Sequence, residues 1–411
     1  MHTPPPPSRL FPPMFEILSV APPDSILGLN EAFRADPNPA KVNLSVGVFK
    51  DESGKTPVLQ CVKQAEQKLL TQESSKSYLP IDGIPEYDAA VREMLFGAGH
   101  EVLTSQRAVT AQTPGGTGSL RVAADFLKKS FPQARMWLTK PTWENHQNVF
   151  QSAGLQTEYV PYYDPAKLGI DFDAFASALK SIPAGDIVCL HACCHNPTGC
   201  DPTLEQWRTI GDIIQNHGLL PLIDFAYQGF GDGLREDAHG LLEIARPGQE
   251  LIVCSSFSKN FGLYNERVGA LTLVASSPDA AKAALSHLKI SIRTNYSNPP
   301  SHGGAIVSTV LADPALRAQW EQELAAMRQR IQRMRMLLVE KLKLKGVAKD
   351  FSFLLKQRGM FSYTGLTPVQ VDSLRKEFGI YIISSGRINV AGLTESNLDV
   401  VVDALAKVLG D

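Results

Sequence analysis

Five short apolar runs punctuate the middle of this 411-residue chain, at 135–138, 186–190, 219–223, 251–254 and 268–274. Helical stretches lie among them. Between the second and third runs, Asp201-Pro202 opens a helix that ends near Gly218. Upstream, Thr56-Pro57 reads as the cap and first-turn proline of a helix with the stripe Leu59, Val62, Leu69 and Leu70. Gly115-Gly-Thr-Gly118 opens another, with Leu120, Ala123, Ala124, Leu127 and Phe131 on one face and Lys128 and Lys129 near its end. Strands that alternate with helices predict an α/β fold with a largely parallel sheet covered on both faces. Such sheets bind ligands beyond the C-terminal ends of their strands. The polar residues Asn196, Asp224, Ser256 and Lys259 gather at those ends.

The pattern changes after Asp313-Pro314. Trp320, Leu324, Met327, Ile331, Met334 and Leu338 recur at spacings of three and four, which predicts one long helix. A short α+β segment follows, with strands expected at 351–355, 359–361 and 380–383 and a final helix after Thr394. Length also favours two domains. The expected division is a proline-rich arm over 1–14, a first part of a small domain over 15–56, a large domain over 57–313, and the linking helix with the rest of the small domain over 314–411.

Composition excludes several classes of function. The 40 basic and 42 acidic residues nearly balance, which leaves no electrostatic footprint for nucleic acid or an anionic membrane. No apolar run is long enough to cross a bilayer. The N-terminal stretch lacks the basic and apolar segments of a secretory signal, so the cytoplasm is the expected location. The six cysteines do not form a disulfide framework, and the spacing within His191-Ala-Cys-Cys-His195 matches no common zinc pattern. No metal is expected.

The stretch Ser255-Ser-Phe-Ser-Lys-Asn-Phe-Gly262 carries the chemistry. Lys259 follows an apolar run and stands among hydroxyls, with Arg267 eight residues on. A lysine there can form a Schiff base with an aldehyde cofactor such as pyridoxal phosphate (PLP), or it is a surface lysine after a core strand. PLP chemistry also needs an acid at the pyridine nitrogen, a phosphate cup, a ring stack and substrate anchors. Asp224 is the candidate acid, or else a turn cap; Tyr227 can bond the ring oxygen, or is an ordinary amphipathic tyrosine. Gly116 and Thr117 at a helix N-terminus suit phosphate, with Ser256, Ser258 and Arg267 completing the cup. Trp143 can stack on the ring or fill a core. Asn196, in His195-Asn-Pro-Thr-Gly199, can bond the ring oxygen or serve a turn. Arg387 and Arg293 are candidate carboxylate clamps or structural ion-pair partners.

These segments, in this order, resemble the class I, fold-type I aminotransferases, in the branch that acts on aspartate and aromatic amino acids. The resemblance runs from about Phe15 to the C-terminus. It includes Lys41-Val-Asn-Leu-Ser-Val-Gly-Val-Phe-Lys50, Tyr78-Leu-Pro-Ile-Asp-Gly-Ile-Pro85, Thr113-Pro-Gly-Gly-Thr-Gly118, Pro141-Thr-Trp-Glu-Asn-His146 and Asp224-Phe-Ala-Tyr-Gln-Gly-Phe230. It implies a large domain with a mostly parallel seven-stranded sheet and a smaller α+β domain. It further implies a PLP Schiff base on Lys259, with Asp224 at the pyridinium, supported by His146. Tyr227 and Asn196 would bond the ring oxygen, and Trp143 would stack. Gly116, Thr117, Ser256, Ser258 and Arg267 would hold phosphate, with Tyr78 from the neighbour in a homodimer. Arg387 would bind the substrate's α-carboxylate, Arg293 of the neighbour the distal one, and Gly47 would lie over the substrate.

The implied reaction is a ping-pong transfer of an amino group from L-aspartate to 2-oxoglutarate, so the partners are amino acids, 2-oxo acids and a second copy of the chain. Val48, Lys50, Thr56, Thr117 and Asn298 look like the aspartate-preferring set of that branch. Ser77 and Phe49 depart from the expected asparagine and tyrosine and would admit bulkier donors. Aromatic amino acids are therefore expected as further substrates. The alternative is an aromatic-amino-acid aminotransferase with aspartate as its secondary substrate.

Overall fold

The computed structural model describes residues 14–21 and 27–410. The proline-rich arm expected at 1–14 lies, Met14 apart, outside the described residues. At the centre is a seven-stranded sheet, numbered here β1 (Ala108–Pro114), β2 (Met136–Lys140), β3 (Thr157–Pro161), β4 (Ile187–His191), β5 (Leu220–Phe225), β6 (Leu251–Ser256) and β7 (Val268–Val274). Their spatial order is β1-β7-β6-β5-β4-β2-β3. Only β7 runs against its neighbours, β1 and β6; every other pairing is parallel. The expected fold class, including the seven strands, is the one found.

Register decides what meets at the strand ends. His191 of β4 stands opposite Asp224 of β5, and Phe225 opposite Ser255 of β6. The strands β4, β6 and β7 are buried along their whole length, as strands of a sheet covered on both faces must be. Two apolar clusters fill the space around the sheet.

Two strands of this sheet escaped the sequence reading. Ala108–Pro114 carries Thr110, Gln112 and Thr113, all buried, and so lacks an apolar run. Its polar groups are paired internally: Thr110 with the Thr272 hydroxyl at 2.8 Å, and Gln112 Nε2 with the Pro300 carbonyl at 2.8 Å. Thr157–Pro161 is an edge strand with only Val160 buried.

The helix expected to start at Thr56-Pro57 begins instead at α1 (Gln60–Gln72), with Leu59 at its cap position and no local side-chain cap. A distant residue caps it. The Glu323 carboxylate accepts the N–H groups of Gln60 at 2.7 Å and Cys61 at 3.0 Å. Thr56 is occupied elsewhere, donating to the Phe49 carbonyl. The glycine-led helix is α2 (Gly115–Ser130), which packs on β6 and β7; Phe131 lies just past its end and is 49% exposed. α3 (Pro278–Asn295) ends near Arg293.

The long helix is α4 (Pro314–Leu344), and every residue of its expected stripe is buried. Asp313 caps it by accepting from the N–H groups of Ala315 and Leu316. The segment expected as a strand at 351–355 is a 3-10 helix, Ser352–Lys356, started by Asp350 accepting the Ser352 N–H. The next strand is β8 (Phe361–Tyr363), two residues later than expected. It pairs antiparallel with β9 (Arg387–Asn389). At 380–383 only Ile380–Tyr381 pairs, running parallel with Val42–Asn43 and so tying the first part of the chain to the last. The final helix is Glu395–Gly410.

Trp320 of α4 is fully buried, stacks on Phe261 at 4.4 Å, and donates from Nε1 to the Asn260 carbonyl at 2.8 Å. It thus packs α4 against the turn that follows Lys259. Trp320→Ala is expected to lower unfolding stability by about 3–5 kcal/mol in a denaturant titration. Met336→Ala, at a half-exposed position of the same helix, is expected to change it by less than about 0.5 kcal/mol.

Candidate active site

A cavity of about 390 Å³ opens where β4, β5 and β6 end and α2 begins. Lys259 lines it from the turn after β6. Its Nζ lies 4.7 Å from the Tyr227 ring and has no hydrogen-bond or carboxylate partner among the described residues. Burial disfavours its charge and outweighs the pull of Asp224, and the nearby Arg267 adds to the effect. The amine's pKa falls to about 8.

Asp224 closes one side. Burial alone would raise its pKa, but a hydrogen bond from His146 and the surrounding positive groups hold it below the ordinary carboxylate value. The His146 Nε2 to Asp224 Oδ2 distance is 3.0 Å. A carboxylate only accepts, so Nε2 carries a proton, while Nδ1 lies 2.8 Å from the Thr142 hydroxyl. Behind this pair the rings of His146, His191, His195 and Tyr162 form a row, with successive centroids 5.1, 4.3 and 4.1 Å apart. His191 Nδ1 accepts the Asn196 N–H at 3.1 Å. Burial lowers the His191 pKa to about 3 and that of His195 well below its ordinary value.

The opposite side is a cradle. Pro114 precedes α2 and no side chain caps its first N–H groups, which face outward with the positive end of the helix dipole. Arg267 packs so tightly on Gly115 that a Cβ there would stand 2.4 Å from Arg267 Nη2. Its φ of 55° is in the left-handed region that side chains rarely adopt. Its Nη1 donates to Ser258 Oγ at 3.3 Å, and no carboxylate pairs with it among the described residues. Unspent N–H groups, two hydroxyls and a guanidinium without a carboxylate partner are the donor set that a phosphate ester requires.

Arg387 lines the third side. It reaches Asn196 Oδ1 at 3.1 Å and the Ser45 carbonyl at 2.6 Å, and lies 4.1 Å over the Phe361 ring. Its Nε is buried with no acceptor. A buried orphan donor on a guanidinium is the signature of a site built for an acid that arrives with the substrate.

Twelve of the residues singled out in the sequence line this one cavity: Gly47, Gly116, Thr117, Trp143, Asn196, Asp224, Tyr227, Ser256, Ser258, Lys259, Arg267 and Arg387. Two do not. Tyr78 is 93% exposed, and Arg293 is exposed near the end of α3, bonded to Ser297. Sequence reasoning did not assign six further lining residues to the site: Leu120, His191, Cys193, Ala226, Tyr264 and Phe361. His191 ends an apolar strand as Asp224 does, and that rule finds it. Phe361 carries no such signal.

Among the described residues, two clusters hold possible metal donors within 4.8 Å of one another. In the first, His146 and Asp224 already bond to each other. In the second, with Cys193 and Cys194, the Asp237 carboxylate takes the N–H groups of Gly229, Gly231, Asp232 and Gly233.

The family model for aminotransferase class I and II matches residues 39–405. The aspartate aminotransferase of Escherichia coli K12 is 57% identical over 396 residues, which span 96% of this chain and 100% of the relative. The aromatic-amino-acid aminotransferase of the same organism is 47% identical, with 96% and 100% covered. The solved structure of the aromatic-amino-acid aminotransferase from Burkholderia pseudomallei, covalently bound to pyridoxal phosphate, superimposes with a TM-score of 0.94 at 51% identity, covering 97% of this chain and 100% of that one. With its lysine, buried acid and anion cradle around one cavity, the chain belongs to the class I and II aminotransferases.

Proposed function

We propose that the chain is a PLP-dependent aminotransferase that moves the amino group of L-aspartate to 2-oxoglutarate, with aromatic amino acids as additional donors. The observation that carries this reading is the position of Lys259. Its amine, poised near neutrality, shares the cavity with an ionised Asp224 and the phosphate cradle. Gly116, Thr117, Ser256, Ser258 and Arg267 would hold the cofactor's phosphate, and Trp143, Asn196, Asp224 and Tyr227 its ring. When bound, PLP supplies an electron sink that makes a substrate Cα–H bond acidic. Asp224, ionised, favours a protonated pyridine nitrogen. Lys259 Nζ, when neutral, takes the Cα proton as general base. Arg387 meets the α-carboxylate through its unspent Nε, and Gly47 leaves room above.

The reading includes a second copy of the chain, whose Tyr78 and Arg293 would complete the phosphate and distal-carboxylate sites. The two lie on neighbouring segments, since Lys289 of α3 pairs with Asp82 at 2.7 Å. Val58, Leu70 and Ile290 are exposed apolar residues that a partner would cover. The segments 15–56 and 314–411 would act together as the smaller domain, supported by the pairing of Val42–Asn43 with Ile380–Tyr381. No helix among the described residues is long and apolar enough to span a membrane, and the cytoplasm is the proposed location.

Aspartate is placed first because of the 57% relative and the set Val48, Lys50, Thr56, Thr117 and Asn298. The departure at Phe49 does not widen the cavity. Its ring lies under the Arg330 guanidinium at 5.4 Å, and it is absent from the lining.

Protein purified with PLP is expected to show a visible cofactor band that aspartate bleaches and 2-oxoglutarate restores. Lys259→Ala should abolish that exchange and lower turnover by at least about 10²–10⁴-fold. A persistent unbleached band, or none in folded protein, would sink the reading. The rate of PLP uptake by cofactor-free protein should rise with pH and level off above about 8, because the neutral amine reacts. An unmodified lysine would keep gaining to about pH 10.4. Arg293→Leu should cut kcat/KM for aspartate by roughly 10- to 100-fold and for phenylalanine far less. Mixed dimers of Lys259→Ala and Arg293→Leu chains should regain aspartate turnover in one of their two sites; hybrids without it would argue against sites shared between copies.

A further inference from the structure

Arg335 of α4 is 3% exposed, and no carboxylate pairs with it among the described residues. Burial lowers its pKa to about 10. A buried guanidinium without an acid is costly, so its remaining bonds carry unusual weight. It donates from Nη2 to the Gly359 carbonyl at 2.5 Å and from Nε to Ser362 Oγ at 3.2 Å. These two acceptors flank Phe361. The Phe361 ring lies beneath Arg387, meets Tyr227 edge-on at 5.9 Å, and abuts Gly47, where a Cβ would stand 2.7 Å from it. Strand β8 also pairs directly with β9, with Tyr363 opposite Arg387.

Arg335 closes a polar stripe along α4. Arg328 donates to the Gly229 carbonyl at 2.8 Å and Gln332 to that of Gly231 at 3.3 Å. Residues 328, 332 and 335 share one helix face. The first two grip the loop that follows Asp224's strand, and the third grips the strand that carries Phe361. One helix thus fixes the two walls of the cavity relative to each other.

We propose that Arg335 is a positioning residue for the carboxylate clamp. It anchors β8 so that Phe361 backs Arg387 and holds that guanidinium in the orientation that receives a substrate carboxylate. This rests on the assignment of Arg387 made above.

The test uses holoenzyme carrying Arg335→Gln or Ser362→Ala; the second removes one anchor bond without burying a new polar group. Calorimetry gives the Kd of succinate, an unreactive dicarboxylate, and steady-state kinetics give KM and kcat for aspartate and phenylalanine. Arg335→Gln should raise the succinate Kd and both KM values about 10-fold, with a smaller change in kcat. Ser362→Ala should act in the same direction more weakly, and decides the matter if Arg335→Gln does not fold. In an Arg387→Lys background, Arg335→Gln should add little, because both act through one clamp. Unchanged Kd and KM in folded, cofactor-loaded variants would overturn the proposal, as would a full additional loss in the Arg387→Lys background. If Arg387→Lys alone leaves the succinate Kd unchanged, the clamp assignment itself fails and this inference with it.

Discussion

The pairing of Asp224 with His146 is the constraint on which the cavity depends. Asp224 ends a central strand, where burial would neutralise a lone carboxylate. The imidazole N–H of His146 at 3.0 Å, together with the electrostatics of the groups around it, reverses that balance, and the Thr142 hydroxyl holds the far side of the ring. The anion then acts on Lys259, drawing its pKa upward against the larger effect of burial. Without a charged Asp224 the lysine would fall further, and the two would no longer be poised against each other.

The cradle depends on a different kind of constraint, close backbone approach. Gly269 of β7 stands so near Gly115 that a Cβ would lie 2.5 Å from its carbonyl carbon. Running β7 antiparallel brings the chain back past the start of α2, immediately after the turn that delivers Arg267. The glycines at 115 and 269 therefore serve one purpose from opposite elements, letting a guanidinium and a helix N-terminus share a space too small for side chains.

Much of this was legible in the residues. Apolar runs located five of the seven sheet strands, and the polar residues at their ends proved to line one cavity. The long helix was readable because its stripe keeps a spacing of three and four from Trp320 to Leu338. What the sequence hid was the non-local part. Thr110 and Gln112 disguised a buried strand because their partners lie more than 150 residues away. The true start of α1 depends on Glu323, some 260 positions distant, which no local cap rule can see. Phe361 escaped because an apolar residue that backs a charged one looks like any core residue. The seven-strand count itself came from family resemblance rather than from periodicity.

The row of rings behind Asp224 has a consequence for how the site answers to acidity. Imidazoles usually change charge between pH 5 and 8. His191 and His195, sealed among aromatic rings, keep their neutral form through that whole range. They are spacers that hold hydrogen-bond geometry, chosen for shape and donor count rather than for titration. The electric field around Asp224 therefore does not drift with these two rings as the medium moves through neutrality.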